Sequence, residues 1–136
     1  MSKIKIKSFQ RSIDTGEAIR DEYIREGKFN LVGDTVYISY EDVDAENGNK
    51  TFNRIKVKDN EVTRTVKGDL DSTMIFAKGR ETTTNYITPF GVISLRILTK
   101  YISITDSEDY CITLEYILSL DGKPHSDNEM VIQVKK

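Results

Sequence analysis

The sequence has few of the residues that most often identify a function. Its 136 residues include no tryptophan, one cysteine and one histidine. A single cysteine excludes an intramolecular disulfide, and one histidine with one cysteine cannot supply any of the usual zinc ligand sets. The acidic segment 41–48 does not match the EF-hand spacing, and no phosphate-binding glycine loop or nucleophile elbow is present. We therefore predict no metal, no cofactor and no catalytic residue.

An excess of one charge and long apolar runs are also absent. The 20 Lys and Arg residues are interspersed with 22 Asp and Glu residues, which gives a net charge of −2. This balance provides no basic stripe for nucleic acid, so no nucleic-acid partner is expected. No run reaches the roughly 18 apolar residues of a membrane helix, and the N-terminus has no apolar leader segment. The sequence predicts a cytoplasmic protein with no membrane partner.

The feature that is present throughout is alternation of apolar and polar residues with a period of two. It is clear at residues 3–7, 36–40 and 93–97. This period places one set of side chains on each face of a β-strand, so each strand has one buried and one wetter face. At 136 residues the chain has the size of one domain, which we assign to residues 1–136.

Ten strands separated by turn residues account for the whole chain. They are expected at about residues 2–9, 19–28, 35–42, 51–58, 61–67, 72–78, 82–87, 91–104, 109–120 and 128–135. A helix is the alternative at 15–25, where Ala18, Ile19, Tyr23 and Ile24 also fit a helical stripe; we favour a strand because the neighbouring segments need a partner. The strand at 91–104 is long enough to bend or break near Lys100.

Short connections join most of these strands. Asn47-Gly48 and Asp59-Asn60 are candidates for tight hairpin turns, and Thr88-Pro89-Phe90-Gly91 fits a type I turn. Short loops pair neighbouring strands, which predicts a meandering antiparallel sheet. Closure into a barrel is favoured over a sandwich, because closure removes exposed strand edges.

Two arginines lie among apolar residues of the same strand face. Arg64 shares its face with Val62 and Val66, and Arg96 shares its face with Ser94 and Leu98. A charge on an apolar face is costly to bury unless it is paired. Inside a barrel these arginines would need a carboxylate, such as Glu115, or an anionic ligand; the commoner outcome is that such arginines point outward.

Tyrosine is the leading aromatic residue, with seven copies. Tyr40 and Tyr116 lie in expected strands and could line a cavity with an apolar ring and a polar hydroxyl, although ordinary cross-strand packing is the commoner role. His125 lies in a segment with loop composition, where a Ser-His-Asp triad has no rigid support. Cys111 is expected to be a buried, inert thiol.

Several segments together resemble the YwiB-like family of small, uncharacterised bacterial proteins. The most specific is Tyr86-Ile87-Thr88-Pro89-Phe90-Gly91 ahead of Leu95-Arg96-Ile97-Leu98-Thr99. Weaker matches are Gly27-Lys28-Phe29, Asp34-Thr35-Val36-Tyr37-Ile38-Ser39-Tyr40-Glu41, Met74-Ile75-Phe76-Ala77-Lys78-Gly79, Glu115-Tyr116 and the strand at 128–134. The resemblance covers almost the whole chain. It implies a calycin-like β-barrel, the architecture of lipocalins and fatty-acid-binding proteins, and it implies no activity.

Three functions from different classes are compatible with such a barrel. The first is non-enzymatic binding of a small, partly apolar and anionic molecule, with Arg64 and Arg96 at its anionic end and Tyr40, Tyr116 and Glu115 nearby. The second is a protein-interaction or assembly module with a filled barrel, working through a sheet face or the Pro89-Phe90-Gly91 turn as a monomer or homodimer. The third is an enzyme built on Glu115 and Arg96. We favour the first.

Overall fold

Ten antiparallel strands form a single sheet in the computed structural model, which describes all residues 1–136. The strands are β1 (Ser2–Ser12), β2 (Ala18–Val32), β3 (Thr35–Val43), β4 (Lys50–Lys58), β5 (Glu61–Lys67), β6 (Ser72–Phe76), β7 (Glu81–Thr88), β8 (Gly91–Asp106), β9 (Asp109–Leu120) and β10 (Lys123–Lys135). No helix forms, so the strand predicted at 19–28 is confirmed and its helical alternative is wrong. The all-β prediction is confirmed.

The sheet curls into a nearly closed barrel. Its strand order is β6-β5-β4-β3-β2-β1-β10-β9-β8-β7, so β6 and β7, which are consecutive in the chain, are the two ends that meet. They are joined by one bridge between Asp71 and Ile87, and by hydroxyl groups of β7 that donate to carbonyl oxygens of β6. We call this junction the seam. The predicted closure is confirmed, with side chains completing it where the backbone ladder does not.

Alternation along each strand decides which side chains enter the barrel. In β1, Ile4 and Ile6 are buried while Lys3 and Lys7 are exposed, as their period-2 pattern predicts. In the pairing of β1 with β10, Ile4 and Ile6 lie opposite Val134 and Ile132. Burial of aliphatic side chains at about 25 cal/mol per Å² is the main favourable contribution to folding. The buried hydrophobic residues form one continuous cluster.

Gly27 is the residue at which β2 changes its pairing partner. Up to this residue β2 pairs with β1, and from this residue onward it pairs with β3. A Cβ atom at Gly27 would lie 2.2 Å from the Ser39 carbonyl oxygen and 2.5 Å from Ile4 Cδ1. Only glycine fits where two backbones approach so closely, and this approach forms a corner of the barrel.

Two of the predicted irregularities are confirmed. Asp59 and Asn60 both have positive φ values, 52° and 58°, as a two-residue type I′ hairpin turn requires. A bulge between Thr99 and Tyr101 shifts the register of β8 at Lys100. The inner-facing residues therefore change from Ile97 and Thr99 before the bulge to Ile102 and Ile104 after it.

Two connections differ from their predictions. The loop at Asn47-Gly48 is wider than a two-residue turn, because Asp44 Oδ1 accepts hydrogen bonds from the backbone N–H groups of Glu46 and Asn47 and so starts the turn earlier. The segment around His125 is strand rather than loop. Asp121 and Gly122 take positive φ and turn the chain tightly, so β10 begins at Lys123.

Candidate functional site

Arg64 lies on the inner face of β5. Its cross-strand neighbours are Ile55 of β4 and Met74 of β6, both buried. Directly paired residues of antiparallel strands point to the same face, so the register aims the Arg64 side chain into the barrel. The alternative, in which the stem of Arg64 lies along an outer face, does not apply to this residue.

The guanidinium of Arg64 is only partly satisfied by the protein. Its Nη2 atom donates to Tyr40 Oη at 3.3 Å and to Asn53 Oδ1 at 3.2 Å. The Nε–H group is shielded from solvent and has no hydrogen-bond partner. Buried donors normally have a partner, and leaving one unpaired costs about 1–3 kcal/mol. The protein therefore leaves one donor of Arg64 unpaired and contacts the guanidinium only through Nη2.

No carboxylate lies within ion-pairing distance of Arg64. The nearest acidic group in its hydrogen-bond network is Asp42, which is reached through Asn53, because Asn53 Nδ2 donates to Asp42 Oδ2 at 3.3 Å. Asp42 already forms an ion pair with Arg25, because Arg25 Nε donates to its Oδ1 at 2.5 Å. The charge of Asp42 is thus balanced by Arg25, and the charge of Arg64 remains without a counter-ion.

A cavity of about 230 Å³ lies beside Arg64. Its apolar lining includes Met74, Tyr86, Tyr116 and Met130. Its polar lining comes from the neighbouring strands β1 and β10 through Ser8, Gln10 and Asn128. The cavity lining therefore combines one cation, one acidic residue (Glu129), several uncharged hydrogen-bonding groups and an apolar wall, and a mostly apolar wall with a few polar groups is the general composition of small-molecule sites.

Tyrosines surround the guanidinium on several sides. The Tyr23 and Tyr40 hydroxyls lie 3.2 Å apart, and Tyr86 Oη donates to Met74 Sδ at 3.3 Å. Burial raises the pKa of Tyr40 and of Tyr86, although Arg64 acts in the opposite direction on both, and burial raises the pKa of Tyr116 to about 12. These phenols are therefore neutral near pH 7 and supply hydrogen bonds rather than negative charge.

The charge state of Arg64 follows from the same surroundings. Burial acts to lower its pKa, whereas the neighbouring phenols Tyr40, Tyr23 and Tyr116, which are ionised only at the alkaline pH where a guanidinium titrates, act to raise it, and the net direction is upward. The guanidinium is accordingly positive at any physiological pH. The site presents a positive charge to the cavity.

The structure separates the predicted site residues into two groups. Arg64, Tyr40 and Tyr116 lie together on the inner face. Arg96 and Glu115 lie on the outer face, because Ile97 and Tyr116 occupy the adjacent inner positions of β8 and β9. The hypothesis that Arg96 and Glu115 enter the barrel is therefore corrected: Arg96 Nη1 contacts Glu81 Oε1 at 3.4 Å on the exposed surface.

Sequence reasoning missed Asn53, Asp42 and Arg25. Asn53 is buried at a position that shares its face with Ile55 and Val57, so its parity was visible in the sequence. A polar residue on an otherwise apolar face is the signal that would have indicated it. Asp42 and Arg25 carry no such signal, because their contact depends on how β2 and β3 meet at the corner.

The remaining candidates do not contribute to this cavity. His125 is exposed in β10, and Cys111 is half-buried in β9 rather than buried as expected, because Tyr110 and Ile112 occupy the adjacent inner positions. No group of three or more His, Cys, Asp or Glu side chains is arranged to hold a metal ion. None of the secondary structure is a helix able to span a bilayer.

Comparison with known proteins identifies the family. The crystal structure of the YwiB protein from Bacillus subtilis superposes with a TM-score of 0.85 at 24% sequence identity, covering 98% of this chain and 89% of that chain. The fold is therefore shared with that protein, and the YwiB-like resemblance is confirmed. No curated protein matches the chain. The family model described as domain of unknown function (DUF1934) matches residues 4–132, and the chain therefore belongs to the DUF1934 family.

Proposed function

We propose that this protein is a non-enzymatic, calycin-like barrel that binds a small, partly apolar molecule, with Arg64 contacting an anionic group of that molecule. The observation that carries the proposal is Arg64, which lines a cavity, has no carboxylate partner and has a solvent-shielded Nε–H without a hydrogen-bond partner. A charge in such surroundings is costly unless a counter-ion is supplied. A bound anion would supply it.

The size of the cavity supports a small ligand. A cavity of about 150 Å³ can hold benzene, whereas drug-sized ligands occupy about 300–1,000 Å³. The cavity beside Arg64, at about 230 Å³, falls between these two cases. Tyr86, Tyr116 and Met130 would pack against the apolar part of the ligand.

Native mass spectrometry of freshly purified protein, repeated after denaturation, tests the proposal. We expect an additional small mass on the folded protein that is released on unfolding. The Arg64→Met variant should lose this mass, because it keeps the side-chain volume and removes the charge. The Arg96→Met variant is the matched control, since its arginine lies on the outer face. An unliganded wild-type protein that also binds no small acid would contradict the proposal.

A second candidate function is supported by one surface feature, the apolar tip of the β7–β8 hairpin. Phe90 is fully exposed there, and the paired residues Ile87 and Val92 are exposed beside it. Single exposed apolar residues are ordinary, but a cluster at a loop tip is typical of an interaction surface. Light scattering with size-exclusion chromatography tests self-association: a dimer that Phe90→Ser converts to a monomer would favour this function over ligand binding.

A further inference from the structure

We infer that the ligand is a short acid with a single negative charge and an otherwise uncharged body, and that it lies with its acid group at Arg64 and its body toward the mouth of the cavity. This inference rests on the proposed function. It adds the charge, the orientation and the size class of the molecule. Each of these follows from a different part of the cavity wall.

The charge follows from the count of ionised groups at the cavity. Arg64 is the one cation that lines it. Glu129 also borders the cavity, but it is exposed and its cross-strand partners Phe9 and Glu115 belong to the outer face, so the register directs its carboxylate away from the barrel interior. A second acid group on the ligand would find no cation, and an ammonium group would find no carboxylate. Either charge would have to be buried without a partner.

The orientation follows from the two ends of the cavity. At the inner end, the Arg64 Nε–H is shielded from solvent. At the other end lies Ile19, whose side chain is 67% exposed although its cross-strand partner Gln10 places it on the inner face of β2. An exposed apolar residue on an inner face marks the mouth. The acid must therefore enter first to reach the charge of Arg64, which lines the cavity, and the body then lies along Tyr116 and Leu118.

The size follows from the volume of about 230 Å³ and from the packed surroundings. Phe76, which packs edge-on against the cavity residue Tyr116 with ring centroids 4.8 Å apart, is fully buried and does not line the cavity. The cavity cannot lengthen in this direction without repacking the core. A single ring or a chain of about six carbons fills the available volume.

Four probes of equal chain length separate these properties. Hexanoate carries one negative charge, hexanedioate two, 6-aminohexanoate a negative and a positive charge, and 1-hexanol none. We expect isothermal titration calorimetry to show the tightest binding for hexanoate. Loss of one charge-assisted hydrogen bond corresponds to about 10- to 100-fold, so the other three probes should bind at least about tenfold more weakly.

Variants test the orientation. Arg64→Met should reduce hexanoate affinity by about 10- to 100-fold and leave 1-hexanol affinity within about threefold, because the apolar wall is retained. Ile19→Ser at the mouth should weaken hexanoate by a few-fold and decanoate by at least as much, since the longer chain extends past the mouth. Arg96→Met is the control and should bind like wild type. Circular dichroism confirms that each variant is folded.

Different failures have different meanings. If 1-hexanol binds as tightly as hexanoate, or if Arg64→Met leaves hexanoate binding unchanged, the acid-first inference is overturned while small-molecule binding stands. If hexanedioate or 6-aminohexanoate binds best, the single-charge inference is overturned. If none of the probes binds and native mass spectrometry shows no released mass, the proposed function itself fails together with this inference.

Discussion

The interior of this barrel contains two regions built on the same strands but with different chemistry. In the packed region, rows of aliphatic residues face one another across β1, β3, β4 and β10, as in the pairs Ile38–Ile55 and Ile6–Ile132. In the polar region, Arg64 follows Ile55 in the same cross-strand row and meets Tyr40 and Asn53. A single charged residue, Arg64, in an otherwise apolar cross-strand row therefore lies where the packed region gives way to the cavity.

The two regions have opposite effects on the stability of the fold. Aliphatic burial stabilises the fold by about 1.5–3 kcal/mol for each large side chain. A cation without a counter-ion opposes folding, and natural proteins often accept such a cost where a site must be ready to bind. The packed region therefore holds the barrel together, and the polar region depends on it for rigid support.

The largest expected effect comes from breaking the packed region. Ile38→Ala should lower the free energy of unfolding by about 2–5 kcal/mol, because Ile38 is fully buried and its truncation leaves a cavity. Urea denaturation measures the change. Ile24→Ala, at an exposed position on β2, is the control and should cost less than about 1 kcal/mol. Equal losses in the two variants would show that the packed region is not the stabilising one.

The next largest expected effect is a loss of folding stability at alkaline pH, which originates in the polar region. The folded-state pKa of Tyr116 is about 12 against about 10 when unfolded, because burial disfavours the phenolate. The folded protein thus binds more protons between these values, so its stability is complete below about pH 10 and falls by about 3 kcal/mol as the pH approaches 12. Unfolding of wild type and Tyr116→Phe at pH 8, 10 and 12 measures this. A parallel decline in both proteins would contradict it.

Removing the cation should have a smaller effect of opposite sign. Arg64→Met is expected to raise the free energy of unfolding by about 1–2 kcal/mol, since a hydrophobic side chain of similar volume replaces a half-buried charge that has no counter-ion. Tyr40 keeps its contact with Tyr23, and Asn53 keeps its bond to Asp42. Arg96→Met should change stability by less than about 1 kcal/mol. A destabilised Arg64→Met protein would mean that Arg64 serves the fold rather than a ligand.

The smallest effect is expected at the seam, where side chains replace the ladder that joins all other neighbouring strands. Thr84 Oγ1 donates to the Thr73 carbonyl oxygen, and Thr82 Oγ1 donates to the Ile75 carbonyl oxygen at 2.7 Å. Thr84→Val should cost about 1 kcal/mol and speed amide hydrogen exchange in β6 and β7 only. Thr63→Val on the outer face of β5 is the control. Unchanged exchange at the seam would show that the hydroxyl bonds do not hold it closed.

Strand positions could be predicted far better than the site. The bounds at 61–67 and 109–120 agree with the structure, and the break at Lys100 is present, because alternation and turn residues act over a few neighbours. The Arg25–Asp42 contact could not be predicted, since it forms across the Gly27 corner between residues 17 positions apart. Arg64 and Arg96 each share a strand face with apolar residues, yet they face opposite sides of the barrel wall.

The sequence by itself determined the all-β class, the number of strands and the antiparallel order, because alternation period and turn chemistry are local properties. The tertiary structure decided which face of each strand became the interior, since shifting the register by one residue exchanges the two faces. It also decided that the charge of Asp42 is balanced by Arg25 and that Arg64 has no counter-ion beside the cavity. Charge compensation is a property of distances in space, and the barrel sets those distances only when its strands close around a common interior.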